Sequence, residues 1–250
     1  MSTSVVSRLR AAGCVFAEDE ARLLLEAATT PADLDAMVSR RVSGLPLEHV
    51  LGWAEFLGLR IAVEPGVFVP RRRTELLARQ AIALARPGAV VVDLCCGSGA
   101  VGAAVSAAVP GIELFAVDIE PAAVRCARRN ISGIVYEGNL YEPLPDRVCG
   151  QVDVLVANAP YVPSEAVDLM PPEARLHEPI VALDGGADGL DVLRRVIAGA
   201  PVWLGWGGHL LFETSTRQAE VAATMVAEAG LAPDVVIDDL GATVVTGRLR

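Results

Sequence analysis

From about residue 72 onward, short valine-rich apolar runs recur, and helix-length segments separate the earlier ones. The runs are Val90–Leu94, Leu114–Asp118, Ile134–Glu137, Val152–Ala157, His209–Glu213, Val235–Ile237 and Thr243–Thr246. Helical spacing fills 99–108, 120–129 and 188–199. A strand that returns parallel to its predecessor needs a crossover of a dozen or more residues, usually a helix. The alternation therefore predicts an α/β fold with a doubly wound, mostly parallel, seven-stranded sheet. The last two runs lie too close together for a crossover and predict an antiparallel pair on one edge.

The first seventy residues follow another pattern. Ser4–Ala12, Ala17–Ala28 and Pro31–Val42 each show helical spacing. Thr30-Pro31 with Asp33 is a helix start, because proline is accepted at the first helical position, and Gly44 supplies a stop. Phe56, Leu57, Leu59, Ile61 and Val63 predict a strand pair turning at Gly58, followed by the turn Glu64-Pro65-Gly66. Residues 1–70 are thus expected to form a small helical domain with a linking hairpin, and residues 71–250 the larger α/β domain.

Composition narrows the function classes. No apolar run approaches the ~20 residues of a membrane-spanning helix. The start, MSTSVVSRLRAAG, has no leader pattern, so a cytoplasmic protein is expected. The five cysteines are odd in number and lack paired metal spacing, which fits a reduced chain. The three histidines are scattered, so no metal is expected. The formal charge is −10 and all 21 basic residues are arginines. That balance gives no broad electrostatic footprint and argues against direct nucleic-acid binding. The densest cationic cluster, Arg71-Arg72-Arg73, reads as a solvated turn.

Two segments carry chemistry. VVVDLCCGSGAVG ends the first strand of the α/β domain in Asp93 and a glycine-rich turn, directly before a helix. Gly97, Ser98 and Gly99 let the backbone approach a ligand closely, and the mouth of such a strand is where these sheets bind ligands. The second strand ends in Asp118, a carboxylate able to accept both hydroxyls of a ribose. An acid four residues before the first glycine suits a cationic ligand and repels a pyrophosphate. S-adenosylmethionine, with its sulfonium and amino groups, fits better than a dinucleotide. Asn139, after the third strand, is a candidate adenine contact. The expected cofactor set is Asp93, Cys95, Gly97, Ser98, Gly99, Asp118, Ile119, Asn139, Leu140 and Asn158.

VLVANAPYVP ends the fourth strand in Asn158, which the topology brings to the same sheet edge as Gly97 and Asp118. A cofactor loop followed by Asn-x-Pro-Tyr is the order of methyltransferases acting on planar amide or amine nitrogens. With EHVLGWAEFLGLRIAVEPGVFVPRRRTELL upstream and HEPIVALDGGADGL downstream, the chain resembles the HemK/PrmC family of protein-(glutamine-N5) methyltransferases. It differs from the family pattern at Ala159, where a first proline is usual, at Asn139 for an acid, and at Cys95 for a glycine. The resemblance implies a Rossmann-like methyltransferase fold, S-adenosylmethionine as methyl donor, and a protein acceptor such as a release factor or ribosomal protein. It further implies that the oxygen of Asn158 and the backbone carbonyl of Ala159 accept the two amide hydrogens. Pro160 restricts the residue before it to extended conformations, and Tyr161 covers one face of the amide. Other readings remain open here: methylation of an exocyclic nitrogen on a nucleic-acid base, a small-molecule amide or amine, and cofactor binding without turnover.

Overall fold

The computed structural model describes residues 2–250. At its start, α1 (Ser2–Ala11), α2 (Ala17–Ala27) and α3 (Pro31–Val42) bury one apolar stripe each, with Leu9, Leu24 and Val38 fully enclosed. The start of α3 follows the expected chemistry: Thr30 Oγ1 accepts from the Asp33 amide at 3.1 Å, and Pro31 occupies the first turn. A further short helix, α4 (Leu47–Leu51), was not anticipated. Its five residues are too few to show a period, and it stops at Gly52 (φ 81°). The hairpin pairs β1 (Trp53–Phe56) with β2 (Leu59–Ala62). Leu57 and Gly58, both at positive φ, make the two-residue turn whose twist matches the strands.

Phe56 and Ile61 of this hairpin are buried in the core of the α/β layer, alongside Leu77, Val91 and Ala127. That layer runs α5 (Glu75–Leu84), β3 (Val90–Leu94), α6 (Ala100–Ala108), β4 (Glu113–Asp118), α7 (Pro121–Asn130), β5 (Ile134–Glu137) and β6 (Val152–Ala157). It continues through α8 (Ser164–Val167), α9 (Pro172–His177), α10 (Asp191–Trp203), β7 (Leu204–Thr214), α11 (Ala219–Glu228), β8 (Ala232–Ile237) and β9 (Thr243–Arg248). The sheet order is β5-β4-β3-β6-β7-β9-β8. The first five strands in that order are parallel, and β9 lies antiparallel between β7 and β8. One face is covered by α5, α6 and α7, the other by α10 and α11. This is the Rossmann-like arrangement expected, with the antiparallel pair at the edge.

The strand order places the functional end. Successive crossovers run from β3 towards β5, then reverse at β6, so the carboxyl ends of β3 and β6 flank a crevice. The strand β7 begins five residues before its expected start, in the glycine-rich Leu204–Gly208 stretch, where the β6–β7 register slips.

Candidate active site

A cavity of ≈ 1050 Å³, open to solvent, occupies that crevice. Asp93, Cys95, Gly97, Ser98, Asp118, Ile119, Asn139, Leu140, Asn158 and Pro160 all line it. Residues from four strand ends, far apart in the chain, are thus brought together as the strand order required. Gly99 does not line the cavity. It caps the N-terminus of α6 at φ 78°, and a Cβ there would stand 3.2 Å from that of Ala127. Both the left-handed backbone and the close approach of α7 require glycine.

Asp93 is buried, and its Oδ2 accepts the Gly102 amide at 2.9 Å. Burial pushes its pKa up to about 7, opposed by that hydrogen bond and reinforced by the charge of Asp118. Asp118 accepts the Gly97 amide at 2.8 Å on one oxygen and the Glu120 amide at 2.9 Å on the other. Burial raises its pKa too, despite those amides. Each of its oxygens keeps a second lone pair. Burial also drives the thiols of Cys95 and Cys96 well above their ordinary pKa, so both stay neutral. Cys95 (φ 54°) and Leu140 (φ 53°) hold left-handed conformations that cost a non-glycine residue ~1 kcal/mol or more. Both strained residues line the cavity. Asn139 is oriented at both ends: Nδ2 donates to Glu142 Oε1 at 3.0 Å, and Oδ1 accepts from Arg195 Nη2 at 2.9 Å. The loop is braced from behind by Asn130, which donates to the Ser98 carbonyl at 2.8 Å and also bonds both backbone groups of Ala62.

At the acceptor end, Asn158 follows β6 directly, with Nδ2 3.5 Å from Thr74 Oγ1. Among the described residues its Oδ1 and the carbonyl of Ala159 receive no hydrogen bond, so both remain acceptors. The Ala159 side chain is buried in the core beneath. Tyr161 lies outside the cavity lining. Its hydroxyl donates to Glu213 Oε1 at 2.8 Å, and the Arg73 guanidinium lies over its ring at 5.4 Å. Arg73 Nε also meets that Glu213 oxygen at 2.9 Å, while Glu213 Oε2 is buried without a partner. The structure thus anchors this tyrosine beside the motif.

The arginine triplet is not a solvated turn. Arg73 serves Glu213, and Arg71 pairs with the buried Glu178 at 2.6 Å. Glu178 also accepts the Val69 amide at 3.1 Å. The residues that follow it, Pro179, Val181 and Ala182, form a wall of the cavity. A second ion pair joins the same segment to the N-terminal helices, where Arg41 contacts Glu20 and, at 2.7 Å, Glu173 of α9. Thr74, Arg195 and this wall were missed by sequence reasoning. The one available signal was an acid fixed before a proline in HEPIVALDGG.

Comparison with known proteins agrees with this geometry. The methyltransferase small domain family matches residues 58–178. A Geobacter sulfurreducens protein named release factor glutamine methyltransferase is 37% identical over 78% of this chain and 69% of its own length. A relative of the same name from Cereibacter sphaeroides is 34% identical over 95% of this chain and 92% of its own. Among solved structures, a T. Thermophilus 16S rRNA N2 G1207 methyltransferase in complex with AdoMet and guanosine shares the fold. Its TM-score is 0.58 at 20% identity, over 79% of this chain and 50% of that one.

Proposed function

The chain belongs to the release factor glutamine methyltransferase family, and we infer that it methylates the side-chain amide nitrogen of a glutamine in a protein, a peptide chain release factor. S-adenosylmethionine, when bound, supplies an electrophilic methyl group on a sulfonium cation. The residues of the cavity fit that donor. Asp93 and Asp118 offer acceptors and negative charge to a cationic ligand, and the Gly97 turn carries no side chain in its way. Asn139 and Arg195 present an acceptor and donors to the base, beside the wall formed by Pro179, Val181 and Ala182.

The observation that carries the reading is Asn158, held at the end of β6 in the same cavity as the two acids. A carboxamide nitrogen is a poor nucleophile because its lone pair is delocalised. Asn158 Oδ1 and the Ala159 carbonyl would accept its two hydrogens, fix its plane and favour the positive charge that develops on it. Both groups are acceptors only, so neither removes a proton before attack; the cationic product loses its proton readily to water. A backbone acceptor explains why alanine serves at position 159. Glu213, through Tyr161 and Arg73, steadies the strand end. Residues 1–70 would recognise the protein acceptor, a role supported by the grip of Arg41 on Glu173 and of the Val69 amide on Glu178, in the segment that walls the cavity.

The test is incubation with methyl-labelled S-adenosylmethionine and purified release factor, ribosomal proteins, RNA or DNA in parallel. Label on a release-factor glutamine, lost in Asn158→Ala, is the expected result. Label confined to RNA or DNA would refute the assignment.

A further inference from the structure

A second cavity, of ≈ 1030 Å³ and open to solvent, lies at the opposite end of the sheet, where the parallel strands begin. It is bordered by Arg86 before β3, Asp153 at the start of β6, Trp206 and His209 of β7, and Arg248 at the end of β9. None of these residues serves the methyl-transfer site.

Trp206 is 87% exposed, and the backbone around it keeps it there. It sits in Gly205-Trp206-Gly207-Gly208, where the β6–β7 register slips between Val152 and Val154. A Cβ at Gly208 would stand 2.5 Å from the Val152 carbonyl, so only glycine permits the strand to press in at that point. Irregularities of this kind re-aim a side chain, and here an indole faces solvent.

Around it, positive charge is in excess. Acids outnumber basic residues 31 to 21 in this chain. Yet among the described residues neither Arg86 nor Arg248 has a carboxylate within ion-pair distance. The terminal nitrogen of Arg248 stands 3.7 Å from where a Cβ on Gly207 would be, next to the indole. Asp153 borders the same cavity with its Oδ2 held by the Val90 amide at 2.8 Å, so one carboxylate faces two guanidiniums. His209 lies directly across the β7–β9 ladder from Arg248. Burial, Arg248 and Arg86 together hold its pKa below the ordinary value, so the ring is neutral at pH 7 and free to donate.

Two guanidiniums with free forks recognise phosphate oxygens, and an exposed indole beside them is a platform for a heteroaromatic base. We propose that this cavity binds a phosphorylated nucleoside, with the phosphate on Arg86 and Arg248 and the base stacked on Trp206. The ligand is either a free nucleotide or a nucleotide of a single-stranded RNA. The site is independent of methyl transfer, and its test does not rely on that activity.

The full chain, with the first cavity saturated by S-adenosylhomocysteine, is titrated calorimetrically with GTP, with hexauridylate and with inorganic phosphate. Saturable binding of GTP or the oligonucleotide is expected. Trp206→Ala should weaken it at least about tenfold, as loss of one stacked base does. Arg86→Ala combined with Arg248→Ala should abolish it, and should also abolish phosphate binding, which Trp206→Ala leaves intact. Arg248→Lys should retain part of the affinity. S-adenosylhomocysteine affinity, equal in all variants, confirms that they are folded. Tighter binding of hexauridylate than of GTP identifies RNA as the ligand, and the reverse identifies the free nucleotide. The proposal is overturned if no probe saturates by about 1 mM, or if binding is the same in the tryptophan and double-arginine variants as in the parent chain.

Discussion

Asp93→Asn is expected to make the ligand-free protein more stable while weakening its hold on the cofactor. In the folded chain Asp93 titrates at about 7, against ~3.9 in an unfolded one. The folded state therefore binds this proton more tightly, and between those two pH values stability falls as pH rises. Three pKa units correspond to about 4 kcal/mol, fully expressed above pH 7. Asparagine has the same shape and no charge to desolvate. Its oxygen keeps the Gly102 amide, and the weaker acceptance of a neutral group is already contained in that shift. The net gain is then about 4 kcal/mol at pH 8, shrinking through pH 5 and gone by about pH 3. For a chain of this size that is a rise in Tm of roughly 8–16 °C at pH 8. Urea denaturation of both proteins at pH 3.5, 5 and 8 measures it. The variant should lose more affinity for S-adenosylmethionine than for uncharged-sulfur S-adenosylhomocysteine. A variant no more stable than the parent at pH 8, or a gap that does not narrow on acidification, would show that Asp93 carries no desolvation cost.

Three other outcomes follow from the site. Asn158→Ala should lower the methyl-transfer rate by about 10²–10³-fold, as loss of an oriented transition-state partner does, with cofactor affinity nearly unchanged; an unaltered rate removes Asn158 from the reaction. Glu178→Gln keeps the Val69 hydrogen bond but loses the charge facing Arg71. Because Arg71 is one-third exposed, the cost should be about 1–2 kcal/mol, below that of breaking a fully buried pair. It should appear as a raised KM for the cofactor more than a lowered kcat, and equal KM values would detach Glu178 from the cavity wall. Gly99→Ala forces alanine to φ 78° and its Cβ against Ala127, so a loss of about 1–3 kcal/mol is expected in urea denaturation. A Tm equal to the parent's contradicts the requirement for glycine there.

The legible part of the fold was the part with a local pattern. β3, β5 and β6 were bounded to the residue because each is a short, mostly apolar run with polar or glycine residues close on either side. Asn158 and Asp118 were legible for the same reason, since each is the first polar side chain after such a run. The short helices α4, α8 and α9 were not, having too few residues for a period to emerge. The start of β7 was misplaced because Gly205, Gly207 and Gly208 interrupt the strand signal, and only pairing with β6 shows that the backbone remains extended. Tyr161 was legible as part of a motif, but its partners were not: Glu213 lies 52 residues away.

Order along the chain alone determined which loops meet. Once strands alternate with helices, right-handed crossovers place the ends of β3, β4, β5 and β6 on one edge, where their acceptor-rich side chains suit a cation and an amide. What closes that edge was decided only in three dimensions. Arg71 finds Glu178 across 107 residues and Arg41 finds Glu173 across 132. Such pairs leave no periodicity in the sequence, because they depend on how layers dock and not on the local conformation of either residue. For the same reason the triplet Arg71-Arg72-Arg73 looked like a solvated turn, while the packed molecule uses Arg71 to hold a wall of the cavity and Arg73 to anchor Glu213 and Tyr161 beside it.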